Sequence, residues 1–124
     1  MKIEFKFYDE RKNEIINRLN CSVTQDGDVQ SFNVNGDMEG VLNNRHLIPI
    51  MYTGKRCVQG KKIYDGFIVE RESVITGVVK FEQCQWWIMN EKEERAVPLF
   101  SETAKDRIIG NIYQDRNMAK GLGA

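Results

Sequence analysis

Apolar and polar residues alternate at the start of the chain. Ile3, Phe5 and Phe7 fall on one side, and Lys2, Glu4 and Lys6 on the other. A period of two marks a strand with one buried face. The charged run Asp9-Glu10-Arg11-Lys12-Asn13 reads as a turn, with a second strand through Ile15 and Ile16. A short helix from Asp9 to Leu19 is the rival, because Ile15, Ile16 and Leu19 also fit helical spacing. Val23 to Val34 reads as strand, turn, strand around Asp26-Gly27-Asp28, since Asp-Gly supplies the positive φ of a tight hairpin. Asn35-Gly36-Asp37 repeats the signal and predicts that Val29–Val34 pairs with Met38–Leu42. His46 to Tyr52 is apolar and extended, with Pro49 placing it at an edge or a bend.

Further on, Ile63–Val69, Val74–Phe81, Gln85–Asn90, Ala96–Phe100 and Arg107–Tyr113 all read as strands. Gln83-Cys84 and Glu91–Arg95 are their turns, and Ser101 is placed to cap one helical turn. Asp115 to Ala124 holds few apolar residues and two glycines, and reads as a frayed tail. Short strands punctuated by Gly, Asp and Asn turns predict a mainly β protein with at most one or two short helices. The expected division is an N-terminal β-meander over residues 1–45, a small half-closed β-barrel over 46–115 and a flexible tail over 116–124.

Composition changes this picture little. A 124-residue chain suits one domain or two small subdomains, and six Phe, four Tyr and two Trp give it bulk to bury. Eighteen basic side chains balance eighteen acidic ones. That balance argues against a chain whose main task is holding nucleic acid. Cys21, Cys57 and Cys84 are odd in number and far apart, so they read as reduced thiols rather than disulfides or metal ligands. The scattered charges of the first residues are unlike a signal peptide, and no apolar run is long enough to span a bilayer. The expectation is a soluble protein of the cytoplasm with no membrane association.

Three motifs carry a family resemblance. They are Phe5-Lys6-Phe7-Tyr8-Asp9, the stretch from Tyr52-Thr53-Gly54 through Gly60-Lys61-Lys62-Ile63-Tyr64-Asp65-Gly66, and Ile109-Gly110-Asn111-Ile112-Tyr113. In that order they resemble the YopX-like family of small phage and prophage proteins. The resemblance implies a β-rich protein with a barrel related to SH3-like folds, and it implies no known activity. One position departs from the family pattern: Phe67 stands where an acidic residue usually follows the second glycine.

Candidate chemistry is sparse. His46 is the single histidine and lies beside Leu47 and Ile48, so no nucleophilic set assembles around it. Asp26, Asp28 and Asp37 are explained by turn chemistry, and no metal site, cofactor site or enzyme is expected. The segment from Met51 to Arg71 carries five cations against Asp65 and Glu70. Within it, Lys55, Arg56, Lys61 and Lys62, flanked by Tyr52 and Tyr64, form the best binding candidate. Trp86 and Trp87 point to opposite faces of their strand, which makes both faces apolar. Trp87 and Met89 therefore need cover, from the chain itself or from a second copy in a homo-oligomer. The expected function is macromolecular binding by a phage or prophage accessory protein, with a host or phage protein as partner. The alternative is a nucleic-acid-binding module using the basic loop 55–62.

Overall fold

The computed structural model describes residues 4–17, 21–32, 35, 38–40, 44–101 and 105–124. The chain is mainly β. Its strands in order are β1 (Phe5–Asp9), β2 (Glu14–Ile16), β3 (Cys21–Val23), β4 (Val29–Phe32), β5 (Met38–Gly40) and β6 (Leu47–Arg56). They continue as β7 (Lys62–Tyr64), β8 (Phe67–Arg71), β9 (Ile75–Glu82), β10 (Gln85–Asn90), β11 (Arg95–Pro98) and β12 (Asp106–Asn111), followed by helix α1 (Arg116–Gly121). Two compact units result, Glu4–Met51 and a second over Tyr52–Ala124. The break falls inside β6, later than the boundary at residue 45 expected above. The reason is pairing: Leu47–Met51 hydrogen-bonds to β1, whereas Tyr52 and Arg56 pair with β7.

In the first unit, β1 pairs antiparallel with β2, with Tyr8 opposite Ile15. The strand reading of Ile15 and Ile16 therefore holds over its helical rival; Leu19 lies outside the described residues. β3, β4 and β5 form an antiparallel meander. Its first turn is the one expected at Asp26-Gly27, where the Gly27 N–H donates to the Thr24 carbonyl at 3.0 Å. Gly36 and Asp37 of the second expected turn lie outside the described residues. The core is Phe7, Val29 and Leu47, with Ile16, Cys21 and Val23 packed around it.

The second unit is built on a curled, half-barrel sheet in the order β11-β10-β9-β8-β12. The register places Ile88 opposite Val79 and Ile75 opposite Arg71. Val69, Val79 and Ile88 are completely buried. On the other face, Ile68 and Met89 both stand opposite Val78. Residues Ile63–Val69, expected as one strand, are two. The Asp65-Gly66 turn separates β7 from β8, with Gly66 at φ 81°. A side chain there would meet the Tyr113 ring at 2.8 Å, so the site needs glycine both for its backbone and for its space. The Gly66 N–H donates to the Val79 carbonyl, and its carbonyl accepts from the Ile112 N–H.

The C-terminal stretch corrects the expectation of a frayed tail. Residues Arg116–Gly121 are helical, and Ala119 packs with Ile68 and Val78, joined by Ile109, Ile112 and Leu122. Of the two glycines that suggested fraying, Gly121 ends the helix and Gly123 closes it. Gly123 takes φ 84°, its N–H donates to the Lys120 carbonyl, and the Ala124 N–H donates to the Ala119 carbonyl. That pair of bonds is the Schellman arrangement, which needs a left-handed residue. The helix covers the Ile68 and Val78 part of the second sheet face. Cover was expected there from the N-terminal residues, the Ser101 segment or another copy.

Candidate functional site

The basic segment does not fold as a uniformly exposed loop. β6 continues through Arg56, so its period-two alternation decides where each side chain goes. Thr53 and Cys57 are buried, and Lys55 lies between them on the same side. The Lys55 Nζ donates to Asp106 Oδ2 at 2.8 Å and to the Leu99 carbonyl at 2.7 Å. Arg56 points outward and donates to the Gly60 carbonyl at 2.7 Å. The turn itself is Cys57–Lys61, closed by the Cys57 N–H on the Lys61 carbonyl. Lys61 is exposed, and the Lys62 ammonium sits 5.2 Å from the centroid of the Tyr52 ring. Tyr64 is buried and packs at 5.5 Å from both Tyr52 and Phe67. The six residues are thus split: Lys55 and Tyr64 face inward, while Arg56 and Lys61 stand in solvent.

Lys55 belongs to a cluster that sequence reasoning missed. Asp106 is fully buried, at 1% exposure. Arg71 Nε donates to its Oδ1 at 2.7 Å, and Nη2 donates to its Oδ2 at 3.1 Å, a bidentate pair. The remaining Arg71 bonds go to the Pro98 and Leu99 carbonyls, at 3.0 and 2.8 Å. Burial alone would push the Asp106 carboxyl up. Hydrogen bonds from Arg71 and Lys55, with their charges, outweigh it and hold the carboxyl below the ordinary carboxylate range. Two cations therefore share one carboxylate. A signal existed: Arg71 follows Phe67 and Val69 at period two, and a cation in line with buried positions calls for a buried anion. Its partner is far off in sequence, so spacing does not name it.

A second titratable pair lies at the Gly66 turn. Burial pushes the Asp65 carboxyl up, only partly offset by the Lys80 charge and the Gly66 N–H. Tyr113 donates to the Asp65 carbonyl at 3.4 Å, and burial followed by the Asp65 charge pushes its hydroxyl well above the usual tyrosine value. In the other unit, His46 Nε2 lies 4.0 Å from Asp9 Oδ2. Its Nδ1 is buried without a partner among the described residues.

Trp86 is buried, and the half-exposed Phe81 meets it edge to face at 5.2 Å. Trp87 and Met89 are half-buried on the opposite side, and the Trp87 Nε1–H donates to the Glu82 carbonyl of its own hairpin. Among the described residues no group of three or more metal-ligating side chains gathers, and no helix is long and apolar enough to cross a membrane.

Two sheet-based units, one of them a half-barrel sheet with a short C-terminal helix packed on Ile68 and Val78, define a small, mainly β protein. The YopX protein family model matches residues 4–119, and the chain belongs to that family. Among solved structures it is similar to the crystal structure of the protein yopX from Bacillus subtilis. The two share 19% identity with a TM-score of 0.56, covering 90% of this chain and 94% of that one. No curated protein matches. At that identity the likeness speaks for the fold.

Proposed function

We propose that the protein is a phage or prophage accessory protein that works in the host cytoplasm by binding another protein rather than by catalysis. The resemblance to YopX-like proteins supports the first part. The carrying observation for the second is Phe81, 56% exposed and seated edge to face on Trp86 at the end of the sheet. An aromatic held rigid by another aromatic, yet open to solvent, is the residue type enriched at the centre of protein interfaces. A second copy of the chain is one candidate partner, through the half-buried Trp87 and Met89. Crosslinking in host extract tests the reading. A partner captured by the wild type and lost in Phe81→Ser supports it, and equal capture by both overturns it.

Nucleic-acid binding is the competing reading. It now rests on the exposed Arg56 and Lys61 with Lys62 and Tyr52, because Lys55 is committed elsewhere. Oligonucleotide binding that weakens steeply with salt, and that Arg56→Glu with Lys61→Glu abolishes, would favour it over the protein partner.

A further inference from the structure

We propose that the cavity beside Arg71 is a carboxylate-binding pocket, and that its occupant is an acidic side chain of a peptide segment that also carries an aliphatic residue. This deepens the protein-binding reading and rests on it. The cavity has a volume of about 450 Å³. Its polar wall is Arg71, Ser73, Ser101 and Lys105, with Glu72 also lining it. Val74 and Val97 supply the apolar wall, and Val74 is 40% exposed.

Charge decides the ligand. Behind the wall, Lys55 and Arg71 share the single carboxylate of Asp106. That leaves one positive charge in excess on side chains only 16% and 10% exposed. An excess positive charge that is largely shielded from water is costly unless an anion approaches it. The arginine is also equipped for one more bond. Its Nε, both Nη2 hydrogens and one Nη1 hydrogen are engaged, which leaves a second Nη1 hydrogen from the five that guanidinium offers. Ser73, Ser101 and Lys105 line the same cavity and can complete the set. The two valines explain why the carboxylate should come with an aliphatic neighbour: a free inorganic anion would leave them wet.

The test is a titration of the intact chain with a fluorescent, C-terminally amidated Gly-Glu-Leu-Glu-Gly peptide. The same peptide with Gln in place of Glu serves as the control, and inorganic phosphate as competitor. Lys105→Glu is the variant, because Lys105 is exposed and outside the buried cluster. Its melting temperature checks that it folds. The proposal expects saturable binding of the Glu peptide that is about tenfold weaker for the Gln peptide and for Lys105→Glu. Equal binding of both peptides, indifference to Lys105→Glu, or no binding at millimolar concentration overturns it. Phosphate binding with no peptide preference also overturns it, in favour of a bare anion site. A partner captured in host extract equally by wild type and Lys105→Glu overturns the pocket and leaves the protein-binding reading standing.

Discussion

Two buried carboxylates, one in each unit, are held by opposite means. Asp9 and Asp106 are each 1% exposed. The hydrogen bonds of the Asp9 Oδ1 are local, accepted from the backbone N–H groups of Arg11 at 2.9 Å and Lys12 at 3.3 Å, while His46 Nε2 stands 4.0 Å from its Oδ2. Asp106 is satisfied by side chains from β8 and β6, separated from it by 35 and 51 residues. The first arrangement is an Asx-type turn that organises the β1–β2 hairpin. The second ties β6, β8, β12 and the end of β11 together. Local bonds shape a turn, whereas the distant ones specify a register.

The difference sets the order of expected effects. Asp106→Asn should cost the most, about 3–5 kcal/mol, because it leaves two cations without their anion. Chemical denaturation measures it, and a loss under about 1 kcal/mol, the range of an exposed ion pair, would place Asp106 with surface groups. Gly66→Val should cost about 1–3 kcal/mol or more, from a positive φ and the Tyr113 ring that a side chain would strike. Asp9→Ala should cost about 0.5–2 kcal/mol, the scale of a lost backbone cap. If it costs as much as Asp106→Asn, the contrast between local and distant carboxylates fails.

Acidity sharpens the comparison further. The folded pKa of Asp106 lies below its unfolded value. Its contribution is therefore present above the ordinary carboxylate pKa and lost as pH falls through the folded one. Asp65 has the opposite sign, with a folded pKa above the unfolded value. Its ionised form is disfavoured by folding, so the wild type should gain on Asp65→Asn as pH falls. Stability measured against pH for Asp106→Asn and Asp65→Asn should give difference curves that slope in opposite directions. Curves of the same slope contradict the assignment.

The smallest effect is a gain. The β9–β10 hairpin turns on Gln83 and Cys84, both at positive φ, 50° and 64°. A two-residue turn of this kind prefers Asn-Gly or Asp-Gly. Cys84→Gly should add up to about 1 kcal/mol, the cost of a non-glycine left-handed residue less the added freedom of the unfolded chain. A melting temperature that falls instead would show that the Cys84 side chain contributes to the hairpin.

The strands were legible wherever the pattern is local. Gln85–Asn90 is β10 to the residue, and the Asp26-Gly27 turn falls where its chemistry requires. The split of Ile63–Val69 was obscured because the two-residue turn Asp65-Gly66 is short and has apolar residues on both sides, so the segment reads as one strand. The terminal helix was obscured because Ala119 and Leu122 alone supply its inward face from within 116–124. The candidate site was the least legible. Lys55 was visible, but its direction depends on β6 running four residues past Tyr52. Arg71 and Asp106 meet only through the β8–β12 register. No spacing rule in a single sequence encodes that pairing.

The central claim is that Lys55 serves the buried cluster rather than a surface loop. A double-mutant cycle over Lys55→Met and Asp106→Asn, read by chemical denaturation, tests it most directly. The account predicts that Lys55→Met destabilises the wild type but costs far less in the Asp106→Asn background, with a coupling of about 1–3 kcal/mol. A Lys55→Met change within about 0.5 kcal/mol of neutral, and additive with Asp106→Asn, would contradict it.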